Sequence, residues 1–500
     1  MRQPVEQARG TVSLGSMQRW IGILLVVLLV LTVLRQGQLI VQIWFDGENS
    51  PTESESLFAL SRVCAGETLY LDYSHPPHAI TAYMPLFYWT AEAIAKTART
   101  WREMVVLARW SVYVHWLGIG LLIFAAARQM DCTRRVALLA ALLWGSTELG
   151  CEWANSFRPD AAALSFSLAA LWVYQRRHAA PNLTASIALL VVAALFKHTA
   201  LAPLVIILWE EVMERRLRRA VMAAVAWGAS LGAVVIAAQV MTGGRFALNV
   251  FSGLAEAGPW SWTWALLVTA LAMGVAAFWG AILTCVGMAR QPGVTFWKRY
   301  FIISLALAVT RSRIFGASTN HYLEPFAAAC VLTGALVQNL LAQAPEDILR
   351  CAHVCWLATV LGLSVALSSE QGWSIFQSLR DDTPWQQFVA RLGEFNDPVL
   401  SEDPYVTVRS GRTPYMVDAN KFAHMQHDGK FNDTELLRRI ENGEFAAIIT
   451  RFPIDADLRP VWAFPARWLM PMRHQYYLDA KYVVPERRTT IYVYRPEPKL

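Results

Sequence analysis

The sequence predicts a polytopic α-helical membrane protein of about eleven crossings with a small soluble α/β part at its C-terminal end. Charged residues make up only 16% of the 500, against about 25% in an ordinary soluble protein, while hydrophobic residues reach 55% and mean hydropathy is +0.32. The charges are also unevenly spread. Residues 370–500 hold 35 of the 82, a density of about 27% that suits a water-soluble fold, so a boundary near Ser369 divides an embedded part (1–369) from a soluble one (370–500). The 21 Trp suit segments whose ends lie among lipid headgroups. A plain cytosolic enzyme is excluded.

The net charge of +6 lies mostly in short loops between apolar runs, which sets membrane orientation, and no basic stretch interleaved with aromatics suggests nucleic acid. The first run, Trp20 to Phe45, follows Arg2, Arg9 and Arg19 and has no small-residue cleavage site behind it. It reads as a retained start helix with a cytoplasmic N-terminus. Further runs fall near Val105–Ala127, Val136–Gly150, Ala161–Tyr174, Leu183–Trp209, Ala220–Met241, Trp262–Met288, Tyr300–Thr310, Tyr322–Leu341 and His353–Ser368.

Leu183–Trp209 fits one crossing or two short ones that turn at Lys197 and His198. Charge decides. Arg176 and Arg177 precede the run and Arg215, Arg216, Arg218 and Arg219 follow it, so both ends belong on the cytoplasmic side and two short crossings place Lys197 near the outer face. Ala79–Ala95 is apolar enough for a span, but counting it as one inverts every later loop. It is expected to lie in the outer interface as part of a long first outer loop, residues 45–104. In the tail, an apolar run before Ser401, Val406–Val408, Phe445–Thr450 and Thr490–Tyr494 read as strands and Thr434–Asn442 as a helix. Of the seven Cys, only Cys64 and Cys151 are placed to meet in an oxidising compartment.

The chemistry is expected where the first outer loop opens. Asp46, Glu48, Glu53 and Glu55 fall within ten positions, and Leu57, Leu60, Val63 and Cys64 recur behind them at helical spacing, so the acids sit at the start of an amphipathic helix. Alone, they do no more than offset its dipole. Arg158, Lys197, Arg245, Arg311 and Arg313 supply a second signal, because they fall at the outer ends of crossings, where few cations are expected. Ionisable groups at membrane depth usually line an internal cavity and have a partner. A carboxylate-bearing loop above such cations suits an anionic lipid substrate and a reaction that needs a base.

Five stretches carry a resemblance: ESESLFALSRVCAGETLYLDY at 53–73, the Pro pair before YMPLFY at 83–88, FRPDAAAL at 157–164, FKHTALAPL at 196–204 and NHYLEPFAA at 320–328. In this order and spacing they resemble the GT-C superfamily of integral-membrane glycosyltransferases, which includes protein O-mannosyltransferases and aminoarabinose transferases. The tail opening VLSEDP looks like the family's outer domain. The resemblance implies a GT-C fold and an inverting transfer of a sugar from a polyprenyl-phosphate donor to a hydroxyl of a glycan, lipid or protein. The site would be the outer face of a bacterial cytoplasmic membrane, with the tail on the periplasmic side.

The resemblance also implies roles. An acid of the first loop acts as base, with Glu53 at the family position and Glu55 as the alternate, because Ser54 separates two acids that are adjacent in some branches. Arg158, Lys197 and Arg313 would hold the donor phosphate, and Tyr83, Tyr88, Asp72, His321 and Glu324 would line the donor and acceptor pocket. One carboxylate suffices where a glycosidase usually needs two, since a phosphate leaves without acid help once cations stabilise its charge. No cofactor is expected, as a lipid monophosphate has no diphosphate that demands Mg. His75 and His78, in a Pro-flanked loop without a third ligand, are the one weak hint of a divalent metal. The rival readings are a transporter or lipid-translocating protein, against which the lack of internal repeats counts, and a catalytically silent scaffold of the same fold.

Overall fold

Lipid offers no water to satisfy backbone polar groups, so apolar runs of membrane length fold as helices. A computed structural model of the chain describes residues 14–45, 47–50, 53–176, 180–251, 258–288, 293–314, 317–342, 383–396, 398–402, 404–456, 464–484 and 489–498. Asp46, the run His353–Ser368 and the boundary near Ser369 lie outside the described residues. The first half comprises α1 (Leu14–Ile43), α2 (Glu53–Cys64), α3 (Pro85–Ala95), α4 (Trp101–Gln129), α5 (Arg134–Ser146), α6 (Glu148–Cys151), α7 (Asp160–Gln175) and α8 (Ala180–Phe196). There follow α9 (Ala202–Met213), α10 (Leu217–Met241), α11 (Arg245–Val250), α12 (Trp260–Met273), α13 (Val275–Leu283), α14 (Val294–Arg311) and α15 (Leu323–Ala342).

Among the described residues four helices are long and apolar enough to cross a membrane: Gly22–Ile43, α4, α10 and Thr319–Ala342, where a short 3-10 turn runs into α15. A fifth results if α12 and α13, bent by 91° at Gly274, count as one. The expected eleven crossings include shorter helices, α5, α7, α8, α9 and α14, which do not individually satisfy both criteria. The Leu183–Trp209 run is broken after Phe196, and Pro203 in the first turn of α9 shows why the chain restarts there: proline fits a helix's first turn but not its interior. Ala79–Ala95 yields only the 11-residue α3, about 16 Å long and half the hydrocarbon thickness. Pro85 opens that helix and holds Met84 extended before it.

The core centres on α15, buried against α4, α5, α13 and α14. Trp116, Trp144, Phe326 and Phe278 form a continuous aromatic file across it, with ring centroids 5.6–6.2 Å apart. Helices α13 and α15 approach closely at Gly280, where an added Cβ would lie 2.9 Å from the Thr333 Cβ and closer still to its Oγ1. Thr333 Oγ1 in turn donates to the Ala277 carbonyl at 3.1 Å. Gly280→Ala is therefore expected to force the two helices apart at a cost of about 1–3 kcal/mol, read as a lower Tm of the purified protein in nanodiscs. An unchanged Tm would mean the helices slide without cost.

The tail forms a four-stranded sheet of β1 (Val399–Ser401), β2 (Ala447–Thr450), β3 (Tyr476–Val484) and β4 (Thr489–Pro496) in the order β1-β2-β4-β3. β1 and β2 are parallel, and β4 is antiparallel to both β2 and β3. Around it lie α16 (Thr383–Gly393), α17 (Pro404–Arg409), α18 (Ala419–His427), α19 (Thr434–Glu441) and α20 (Ala466–Gln475). The expected strand Val406–Val408 is instead part of α17. Its β-branched residues favour a strand, but Pro404 opens a helix and Val408 packs on Phe58 of α2 in a cluster with Ala79 and Val417.

Tail and first loop are joined by backbone. His78 N donates to the Tyr415 carbonyl at 2.9 Å, and Val417 N donates to the His78 carbonyl at 3.0 Å, a parallel bridge across His78 and Met416. The His78 ring is buried among Tyr415, Phe422 and Phe431, and its Nδ1 lies 2.8 Å from the Tyr73 carbonyl. This accounts for His78 as a packing residue between loop and tail. Arg451 of the tail faces Glu48 of the loop at 3.6 Å. Cys64 and Cys151 are both free thiols.

Candidate active site

The three described acids at the start of the loop, Glu48, Glu53 and Glu55, separate by environment. Glu48 caps α2, accepting from Ser54 N at 3.0 Å and Ser54 Oγ at 2.9 Å, as expected of a carboxylate at a helix N-terminus. Glu53 is fully buried. Its carboxylate takes a bidentate pair from Arg109, Nε at 2.9 Å and Nη2 at 2.8 Å, and two backbone donors, Asn49 N at 2.7 Å and Phe157 N at 2.8 Å. Arg109, itself 0% exposed, spends its remaining donors on the carbonyls of Phe45 (2.7 Å) and Gly47.

With four donors on its two oxygens and no exposure, Glu53 has no position left for an acceptor's proton. The role of base expected of it gives way to a structural one. It ties the end of α1, the start of α2, α4 and the segment before α7 into one knot, and it fixes the backbone next to Arg158.

Glu55, two residues beyond Glu53 and half-buried, is the acid that faces the cations. Its neighbours are Arg158, Tyr83 and Tyr88 from the membrane part, and Asp418 and Lys421 from the tail. Burial, and after it the Asp418 carboxyl, hold Glu55 well above the usual carboxylate range, against the opposing pull of Lys421 and Arg158. A carboxyl raised in this way is a stronger proton acceptor for a hydroxyl than an ordinary carboxylate.

Arg158 links Glu55 to a polar pocket. Its guanidinium stacks 4.9 Å from the Trp153 ring and 5.9 Å from the Tyr83 ring, and its Nε lies 3.6 Å from Asp160. Asp160, in the first turn of α7, receives Lys197 Nζ at 2.5 Å and Asn320 Nδ2 at 2.8 Å. Lys197 stands there because the α8–α9 break leaves it at the mouth of the bundle. Across the pocket Arg311, at the end of α14, lies 4.0 Å from Glu324, which also accepts from Tyr300 OH at 3.2 Å. His321 joins these groups, and Ala163, Leu164 and Leu323 supply an apolar side. Arg311 Nη2 is buried with no hydrogen-bond partner among the described residues, which costs about 1–3 kcal/mol unless a ligand satisfies it.

The structure thus brings together Glu55, Arg158, Lys197, Tyr83, His321 and Glu324 of the residues singled out from sequence. Four others stand elsewhere. Arg313 does not line the pocket but lies over the Trp260 ring at 4.2 Å; the pocket cation of that segment is Arg311, one helical half-turn away. Asp72 is exposed and caps its own turn, accepting from Ser74 N at 3.0 Å and Ser74 Oγ at 2.6 Å. Tyr88 is 1% exposed, packed against Phe87 and Phe157, so it supports the floor of the site and does not line an open pocket. Arg245 is exposed.

Sequence reasoning missed Asp160, Asn320, Arg109 and Asp418. Asp160 was within reach, as an acid in the first turn of an apolar helix directly after Arg158. The others become visible only through contacts across more than fifty positions. At the opposite end of the helices the basic loops find their own acids: Arg299 pairs with Glu210 at 2.6 Å, and Arg216 and Arg219 lie within 3.9 Å of Glu211.

No family profile and no curated protein sequence matches the chain. Solved structures do. The fold superposes on ArnT from Cupriavidus metallidurans in the apo state with a TM-score of 0.60 and 13% identity, covering 95% of this chain and 98% of that one. ArnT bound to undecaprenyl phosphate gives 0.60 and 15% over the same shares. The archaeal oligosaccharyltransferase AglB from Archaeoglobus fulgidus, in complex with an inhibitory peptide and a dolichol-phosphate, gives 0.52 and 11%, covering 87% of this chain and 69% of that one. The chain therefore shares the fold of these ArnT and AglB structures.

Proposed function

We propose that the protein transfers a sugar from a polyprenyl-phosphate donor to the hydroxyl of a glycan, lipid or protein acceptor, with inversion, on the outer face of a bacterial cytoplasmic membrane. The single observation that carries this is the placement of a half-buried carboxyl, Glu55, beside Arg158 at the edge of a pocket built from Lys197, Arg311, Asp160 and Glu324. The likeness of fold to proteins solved with undecaprenyl phosphate and dolichol-phosphate supports a lipid phosphate as its ligand.

The charges fit the reaction. Arg158, Lys197 and Arg311 supply the positive charge that a phosphodiester attracts, with Asp160 and Glu324 as their nearest counter-charges. When the acceptor oxygen bonds to the sugar's anomeric carbon, the bond from that carbon to the phosphate oxygen breaks and its electron pair stays on the phosphate, which becomes a doubly charged monoester. The acceptor's proton passes to Glu55. Negative charge thus moves from Glu55 to the phosphate, so interactions with Arg158, Lys197 and Arg311 strengthen in the transition state, which is the condition for catalysis. Asp160 keeps Lys197 and Arg158 aimed and charged. The bands of basic loop residues at the far end of the helices support a cytoplasmic position for that end and an outer one for the pocket.

The test is transfer of label from radiolabelled polyprenyl-phosphate sugars to a membrane extract by the purified full-length protein in nanodiscs. Label is expected in one acceptor class; none from any donor overturns the reading. Lys197→Met is expected to weaken binding of polyprenyl phosphate about 10- to 100-fold, the value of one charge-assisted contact of about 1.5–3 kcal/mol. Arg313→Ala, outside the pocket, should leave it within about twofold. Equal effects of the two substitutions would show that the pocket is misassigned.

A further inference from the structure

Three cations come to the pocket from three separate elements: Arg158 from the segment between α6 and α7, Lys197 from the α8–α9 break and Arg311 from the end of α14. One phosphate meets all of them only if their spacing is fixed. A four-residue 3-10 turn, Thr319–Tyr322, reaches each of these elements and runs straight into α15, the helix on which the core centres. Its first residue, Thr319, is buried. An indole N–H can only donate, so Trp153 Nε1 donates to Thr319 Oγ1 at 3.1 Å, and the Thr319 hydroxyl donates in turn to the Glu152 carboxyl. The Trp153 ring is thereby held in one orientation, and over this ring lies the Arg158 guanidinium, 4.9 Å from its centroid. The second residue, Asn320, donates to Asp160 at 2.8 Å, and Asp160 receives Lys197 Nζ at 2.5 Å. The last, Tyr322, is fully buried with its OH 3.1 Å from the Oγ of Ser312, the neighbour of Arg311.

We propose that this turn is the positioning element of the phosphate pocket: it holds Arg158 through Trp153, Lys197 through Asp160 and the end of α14 through Tyr322, and Thr319 is the positioning residue on which the aim of Arg158 depends. The inference rests on the reading of the pocket as a lipid-phosphate site. The Glu53 knot fixes the backbone of the same segment at Phe157, and the ring of Trp153 then sets the direction of the long side chain that follows. An arginine has more rotamer freedom to lose than most residues, so a ring that orders it before the ligand arrives leaves less to be lost on binding. The Thr319 hydroxyl touches no pocket group itself; it acts through the indole, as a support that locks the rotamer of a binding residue.

Thr319→Val keeps the shape of the side chain and removes the hydroxyl, leaving the Trp153 N–H without its acceptor. In nanodiscs the full-length variant is expected to bind undecaprenyl phosphate about tenfold more weakly than wild type, the order of one lost buried hydrogen bond. Thr319→Ser restores the hydroxyl and should bind within about twofold of wild type. With Arg158→Met already in place there is no guanidinium to aim, so adding Thr319→Val should change binding by no more than about twofold. A residue that only stabilises the fold would cost the same factor with Arg158 and without it, and that outcome overturns the proposal, as does a Ser variant no better than Val. Trp153→Phe is the second route should Thr319→Val fold poorly: it keeps a ring under Arg158 but has no N–H for Thr319 to hold, and it should reproduce the loss. Full binding by Trp153→Phe refutes the proposal. Wild-type protein that binds no undecaprenyl phosphate would take down the pocket reading and this proposal together, whereas wild-type binding matched by Thr319→Val takes down the proposal alone.

Discussion

Glu55→Gln is expected to reduce sugar transfer by about 10²- to 10⁴-fold, the usual contribution of a general base, with polyprenyl phosphate binding within about twofold of wild type. Gln has the same shape and cannot take a proton. The half-buried side chain stands beside Arg158 and outside the knot that holds the loop, so its replacement leaves α2 seated. Stability should respond in the opposite sense to activity. A carboxyl whose folded pKa is raised binds more protons in the native than in the unfolded state, so the protein loses stability as pH rises from the ordinary carboxylate range through the raised value. Glu55→Gln removes that loss, and its Tm should therefore gain on wild type as pH increases across this window. Transfer assays and thermal scans on the same nanodisc preparation check both, and undiminished transfer would end the case for Glu55.

Glu53→Ala, two residues earlier, is expected to destabilise the protein by about 3–5 kcal/mol, because it leaves the Arg109 guanidinium as an uncompensated buried charge. The same substitution strips the acceptors from Asn49 N and Phe157 N, and so loosens the backbone that presents Arg158. The double variant Glu53→Ala with Arg109→Leu should be less damaged than the sum of the two single changes, the signature of a coupled pair. The measurement is Tm and yield of purified protein for all three. A Glu53→Gln variant that folds like wild type but transfers nothing would return the role of base to Glu53.

The difference between these two acids marks how far the sequence could be read. The membrane class, the turn at Lys197, the lack of a full span within 79–95 and the strand at 447–450 rest on local composition and pattern, which a chain displays openly. The choice between Glu53 and Glu55 depends on Arg109, 56 positions away, and no local pattern announces that partner. Arg311 and Arg313 are equivalent by charge and location in sequence; what separates them is the direction each leaves the end of α14, toward Glu324 or toward Trp260. Asp72 completes a motif and yet closes only its own turn. Val406–Val408 were misread because contacts with α2 outweigh their preference for extended backbone.

The bridge at His78 has a bearing on how such proteins can be rebuilt. Because loop and tail exchange main-chain bonds and interleave their rings, they constitute one heritable unit despite lying at opposite ends of the gene product. An engineer grafting a foreign tail onto the membrane part would need to transplant residues 45–104 along with it.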